Sequence, residues 1–201
     1  MRFIGITGGV GAGKSAILSY LAKMPDTRVL LADEIAHMLM KKGTDCFRAI
    51  CDEFVGEDIF AEDGEFSKEK LSCTIFSNAD NRRRMNAIVH PAVKEYVKEQ
   101  YAIEKEKGQL SLFVLEAALL IEEEYSAICD ELWYIYTDES VRRERLKTSR
   151  GYTDERIDAI LASQLSEEEF RKNTQVTIDN NGTIEQTFAQ IEQALRRKSD
   201  E

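Results

Sequence analysis

Eight residues near the start of the chain, Gly8-Gly9-Val10-Gly11-Ala12-Gly13-Lys14-Ser15, have types and spacing suited to holding phosphate. They fit G-x-x-x-x-G-K-[S/T]. The glycines let the backbone curl so that successive N–H groups face one point, with no Cβ barring an anion. A helix that starts there adds partial positive charge. Lys14 would reach β- and γ-phosphates, and the Ser15 hydroxyl would join a Mg²⁺ shell. The apolar run Phe3-Ile4-Gly5-Ile6 reads as a buried strand before the loop, and Ile17, Leu18 and Leu21 mark one helix face after it. Pro25 ends that helix. A plain glycine-rich turn would account for the loop alone; the full pattern with both flanks implies a nucleoside triphosphate.

Other groups could act on that ligand. Asp33 closes the run Arg28-Val29-Leu30-Leu31-Ala32 and is expected near the loop, because one helix returns the chain to a nearby strand. It could accept a proton from an attacking hydroxyl, or coordinate Mg²⁺ directly or through water. Its structural alternative is an N-cap for the helix suggested by Ile35 and Leu39. The stretch from Val29 to Glu34 also resembles the acidic strand of a motor ATPase. Only one helix fits between Ser15 and Asp33, so Glu34 is read as a solvent-facing charge in a helix first turn.

Five cations fall within nine positions: Arg142, Arg143, Arg145, Lys147 and Arg150. Gly151 and a fresh helical stretch from Thr153 follow. This pattern suggests a lid whose arginines close on the polyphosphate and exclude water. Arg82-Arg83-Arg84 are contiguous, so they spray around a helix and read as mostly solvated. At His90-Pro91, proline suits the first turn of a helix over 92–105, with His90 as its cap or facing a ligand. Spacing alone favours the cap.

These groups need a scaffold. Apolar runs at 3–7, 28–31, 112–115, 132–137 and 176–178 alternate with helical patterns, the signature of a parallel sheet covered by helices. Their carboxyl ends carry the loop, Asp33, Glu116, Asp138 and Asn180, and ligands gather at that edge of an open α/β sheet. Asp138 could simply be an N-cap. Residues 43–107 are too long for one crossover helix. Phe47, Ile50 and Phe54, then Val93, Val97 and Tyr101, recur at helical spacing around an Asp63-Gly64 turn. A helical subdomain able to hold a second substrate is expected there. Ser166 with Glu169, and Thr183 with Gln186, read as capping boxes. Ile184, Phe188, Ile191 and Leu195 read as a core stripe, and Arg196-Arg197-Lys198 with the acidic end as frayed.

With 201 residues the chain can bury one sizeable core. A net charge of -10 gives no general footprint for nucleic acid or an anionic membrane. Met1-Arg2-Phe3 leads straight into the first strand, leaving no room for a signal peptide. No apolar run spans a bilayer; Phe113-Val114-Leu115 is cut by Glu116. Cys46, Cys51, Cys73 and Cys129 form no C-x-x-C pair and suit a reducing compartment, with cytoplasm the expectation.

The ordered set resembles the dephospho-CoA kinase family. It comprises residues 5–15, Ala32-Asp33 with His37, Asp63-Gly64, His90-Pro91, Leu119-Leu120-Ile121-Glu122, Gln164, and Ile178-Asp179-Asn180-Asn181-Gly182. The resemblance implies a P-loop NTPase fold with about five parallel strands flanked by helices. Residues 1–42, 108–140 and 176–201 would form the nucleotide-binding core, 43–107 the helical acceptor-binding region, and 141–175 the lid and following helix. It also implies MgATP-dependent phosphorylation of the ribose 3′-hydroxyl of dephospho-CoA. ATP would be bound by Gly9, Val10, Gly11, Ala12, Gly13, Lys14, Ser15, Ala16, Arg150 and Asn180. Asp33, Lys14 and Arg145 would be catalytic. The acceptor would meet Asp33, His90, Glu116, Leu119 and Leu120, in a monomer or weak homo-oligomer. The family often has Asp-Ala-Asp where this chain has Leu31-Ala32-Asp33, and Asp-x-Pro-Leu-Leu where it has Glu116-Ala117-Ala118-Leu119-Leu120. Its lid arginines usually sit four apart, not five, and Asn173-Thr174 replaces a usual Ala-Asp. A nucleoside or nucleotide kinase of the same fold, or a nucleotide-binding module without turnover, is the competing reading. A GTP switch would need an Asn-Lys-x-Asp reader, which the sequence lacks.

Overall fold

Strand β1 (Arg2–Thr7) is apolar on both faces because helices cover both sides of the sheet, and it lies at the sheet's centre. The sheet runs β2 (Thr27–Leu31), β3 (Leu112–Glu116), β1, β4 (Glu131–Tyr136), β5 (Val176–Asp179). Parallel registers set Ile6 beside Glu116 on one flank and beside Trp133 on the other. The chain leaves β1 toward β2 but leaves β3 toward β4, so the carboxyl ends part beside β1. The structure, a computed structural model, describes residues 1–197. All five expected strands are present, with bounds shifted by no more than a residue.

The chain divides into two compact units, Met1–Leu30 with Lys107–Glu201, and Leu31–Glu106. In the first, Phe3 packs edge-on against Phe113 at 5.0 Å, and Trp133 is fully buried. Glu131, also buried, accepts both Arg2 Nη2 (2.7 Å) and the Trp133 indole N–H (2.9 Å), which satisfies the carboxylate inside the core. Helix α1 (Lys14–Leu21) follows β1 and packs on α9 (Ile184–Arg196) through stacked Tyr20 and Phe188. Between them lie α6 (Glu139–Arg150), α7 (Asp154–Ala162) and α8 (Glu167–Asn173). Both capping boxes form, starting α8 and α9. Asp138 is the N-cap residue of α6, but its carboxylate accepts the Tyr136 hydroxyl instead of a helix amide. That bond pushes the phenol up to about 12.

The α9 stripe needs one correction. Ile184 is exposed, and the buried face is Thr187, Ile191 and Ala194 with Phe188 beside it. Ile184 is the first residue of the helix. Arg196 ends α9 and Arg197 caps it; the expectation for Lys198 and the acidic end lies outside the described residues.

The second unit is helical: α2 (Ala32–Leu39), α3 (Asp45–Glu53), α4 (Lys68–Ser77) and α5 (Ala79–Lys107). Thr44 and Ser67 cap α3 and α4 through their hydroxyls. Around the Asp63-Gly64 turn, Phe60 and Phe66 form an antiparallel bridge and cluster with Phe47. Helix α5 buries Met85, Val89, Val93 and Val97 on one stripe. Its 29 residues run without interruption through Pro91, so His90 is a mid-helix residue and not the expected cap. The continuous buried stripe holds the helix together across the missing proline N–H. The arginine run also differs in part: Arg84 pairs with Glu53 and lies 4.7 Å over Phe54, while Arg82 and Arg83 are exposed. No described helix is long and apolar enough to cross a membrane.

Candidate active site

The phosphate loop begins where β1 ends and is held by side chains from the ends of β4 and β5 and from α6. Gly13 sits at φ +85 as the N-cap of α1, a left-handed conformation, and a Cβ there would lie 2.4 Å from Asn180 Nδ2. Helix α1 has no side-chain cap and no acidic residue in its first turn, which suits an anion at its N-terminus. Lys14 Nζ donates to the Gly8 carbonyl at 2.7 Å and lies 3.5 Å from Glu116, which folds the cation over the loop. Ser15 and Ala16 follow, both exposed.

Three side chains converge on the Ala12 carbonyl: Asn180 Nδ2 donates at 2.7 Å and Arg145 Nη1 at 3.4 Å, and the Thr137 hydroxyl, whose one proton it shares with the Tyr136 carbonyl at 2.8 Å, lies at 3.1 Å. Arg145 Nη2 also donates to the Asn180 carbonyl. On the other side of the loop, Arg142 Nε donates to the Val10 carbonyl at 2.9 Å and its Nη2 to Gln164. Gln164 Oε1 also accepts the Val10 N–H at 3.4 Å. Burial pushes the Arg142 guanidinium below its ordinary value. It packs so closely on Gly9 that a Cβ there would meet the guanidinium at 2.2 Å.

The five cations therefore split by helical face. Arg142 and Arg145 share the face of buried Leu146 and touch the loop. Arg143 and Lys147 share another, where Arg143 pairs with Glu139 and Asp158 and Lys147 pairs with Asp154. Arg150 falls on that second face, seven residues beyond Arg143, and its guanidinium lies 5.9 Å over Tyr152. The structure thus joins Arg145 to the loop but not Arg150. Arg142, Gln164 and Thr137 were not assigned from sequence. The signal for Arg142 was present in its i, i+3 spacing to Arg145.

The remaining candidates are placed less uniformly. Glu116 ends β3, half-buried, beside Lys14. Leu119 is exposed, as a ligand contact would require. Leu120 is fully buried, at the distance where a Gly5 Cβ would meet its Cδ1 at 2.9 Å, so it is a core residue and not an acceptor contact. In the second unit Asp33 lies in the first turn of α2, whose N-cap residue is Leu31, so Asp33 is not the cap. Its carboxylate is exposed, and its carbonyl meets His37 Nδ1 at 2.7 Å. Glu34, next in that turn, is exposed as expected.

Known proteins share this architecture. A Symbiobacterium thermophilum dephospho-CoA kinase is 34% identical over 196 residues, covering 98% of this chain and 81% of that protein. The solved structure of a dephospho-CoA kinase from Campylobacter jejuni aligns with TM-score 0.73 at 20% identity, over 100% of this chain and 98% of that one. An Acinetobacter baumannii shikimate kinase solved with shikimate aligns at 0.53 and 15%, over 98% and 95%. At those identities the two structures show a shared fold. The sequence model of dephospho-CoA kinases matches residues 2–186, and the chain belongs to that family.

Proposed function

We propose that the chain transfers the γ-phosphoryl group of ATP to the ribose 3′-hydroxyl of dephospho-CoA, giving coenzyme A and ADP. The observation that carries this reading is the braced phosphate loop with Lys14 folded over it, within a chain of this family. The bond from the 3′-oxygen to phosphorus forms as the bond from phosphorus to the β,γ-bridging oxygen breaks. Asp33 takes the hydroxyl proton, which raises the oxygen's nucleophilicity as the new bond forms. Lys14 and Arg145 balance the charge that moves onto the phosphate oxygens. The loop from Gly9 to Ala16 holds the polyphosphate, while His90, Glu116 and Leu119 serve the acceptor.

Mg²⁺ fits this arrangement through the Ser15 hydroxyl. No three His, Cys, Asp or Glu side chains gather as a cage among the described residues, which suits an ion held mainly by phosphate oxygens and water. When bound, the ion would neutralise charge on the triphosphate; Asp33 would reach it only through water. Working on free ATP and dephospho-CoA, the protein would act in the cytoplasm, as a monomer or weak homo-oligomer.

The test is to give purified protein MgATP and, separately, dephospho-CoA, adenosine, uridine and nucleoside monophosphates, following ADP release. ADP that appears with dephospho-CoA alone is the expected result. ADP release independent of acceptor, or driven by a nucleoside, would overturn the assignment.

A further inference from the structure

We infer that Asn180, with Thr137, is a positioning residue that sets the phosphate loop through the Ala12 carbonyl, and does not itself touch the nucleotide. The inference rests on the phosphate-loop reading and deepens it. Asn180 is almost wholly buried, and both ends of its amide are committed. Nδ2 donates to the Ala12 carbonyl at 2.7 Å, and Oδ1 accepts the Thr187 hydroxyl at 2.8 Å. Thr187 is itself fully buried on α9, and turning the amide would set its oxygen against the Ala12 carbonyl oxygen, so this orientation is held. The Asn180 main chain is fixed as well, its N–H donating to the Tyr136 carbonyl at 2.8 Å and its carbonyl accepting Arg145 Nη2 at 3.0 Å. Burial and these four bonds turn the residue toward the loop and the core rather than toward a ligand.

What the residue does instead follows from peptide geometry. The bond from Ala12 to Gly13 is trans and planar, so the Ala12 carbonyl and the Gly13 N–H point in opposite directions. With the carbonyl drawn toward Asn180, Thr137 and Arg145, the Gly13 N–H must face away from all three. Gly13 has no Cβ to resist a peptide flip, and the bonds on the Ala12 carbonyl hold that N–H where a phosphate oxygen can meet it. The brace explains why two buried polar side chains, Thr137 and Asn180, stand at the ends of adjacent strands.

Asn180→Ala and the near-isosteric Thr137→Val separate this role from its alternatives. Each folded variant is titrated with inorganic tripolyphosphate, which engages the loop alone, and with adenosine, which does not. Asn180→Ala is expected to bind tripolyphosphate about 10-fold more weakly and Thr137→Val about 3-fold, with adenosine unchanged in both. Weakened adenosine with unchanged tripolyphosphate would assign Asn180 a direct contact to the nucleoside and overturn the inference. A lower unfolding temperature with both affinities unchanged would leave it a purely structural residue and also overturn it. Should Asn180→Ala fail to fold, Thr137→Val carries the same comparison. Wild-type protein that binds no tripolyphosphate would remove the phosphate-loop reading itself, an outcome distinct from the other two.

Discussion

The phosphate loop and the helical stretch Leu31–Glu106 hold their functional groups in different ways. In the loop, Val10 and Ala12 are fixed by Thr137, Arg142, Arg145, Gln164 and Asn180, side chains that arrive from distant parts of the sequence. Asp33 is placed by local structure, in the first turn of α2, with its carbonyl bonded to His37 four residues on. Its carboxylate is exposed. The loop's geometry is therefore built before any ligand arrives, which is what electrostatic stabilisation of a transferring phosphoryl group requires. Asp33 has only a proton to accept, and a helix first turn presents it without a rigid cage. The contrast separates grip from reactivity, and substitutions should separate them too.

The largest effect is expected at Gly13. Gly13→Ala puts a Cβ 2.4 Å from Asn180 Nδ2 at a φ of +85, so the loop must distort. ATP affinity and turnover should fall together, turnover by about 10³-fold, as measured by ADP release at saturating acceptor. Asp33→Asn should lower kcat by at least about 10²-fold while leaving ATP affinity near that of wild type. Normal turnover in that variant would reduce Asp33 to a first-turn helix charge. The smallest effect concerns stability. Pro91 leaves the Ala87 carbonyl of α5 without its usual helical partner, so Pro91→Ala should raise unfolding free energy by about 1–3 kcal/mol in urea melts. A loss of stability would show that the proline sets a bend α5 needs.

Much of the first unit was legible because its signals are local. Apolar runs marked the five strands, the glycine pattern marked the loop, and the two capping boxes marked the starts of α8 and α9. Where the structure departs from these expectations, the deciding feature is packing, sometimes from a distant strand and sometimes within one helix. Leu120 looked like part of an acceptor motif, but packing against β1 makes it core. The five cations read alike in sequence, but helix phase sets Arg142 on the loop and Arg150 beside Tyr152. Pro91 reads as a helix start until the buried stripe on both sides of it is seen to be continuous. Asn180 was legible as a polar residue at a strand end; that both ends of its amide are taken was not.

The division between grip and reactivity is tested most directly by titrating MgATP, by calorimetry, into Lys14→Ala and Asp33→Asn side by side. The account predicts that Lys14→Ala loses at least about 10-fold in affinity, as fits a lost charge-assisted contact, while Asp33→Asn binds like wild type. Unchanged affinity in Lys14→Ala, or a loss confined to Asp33→Asn, would contradict it.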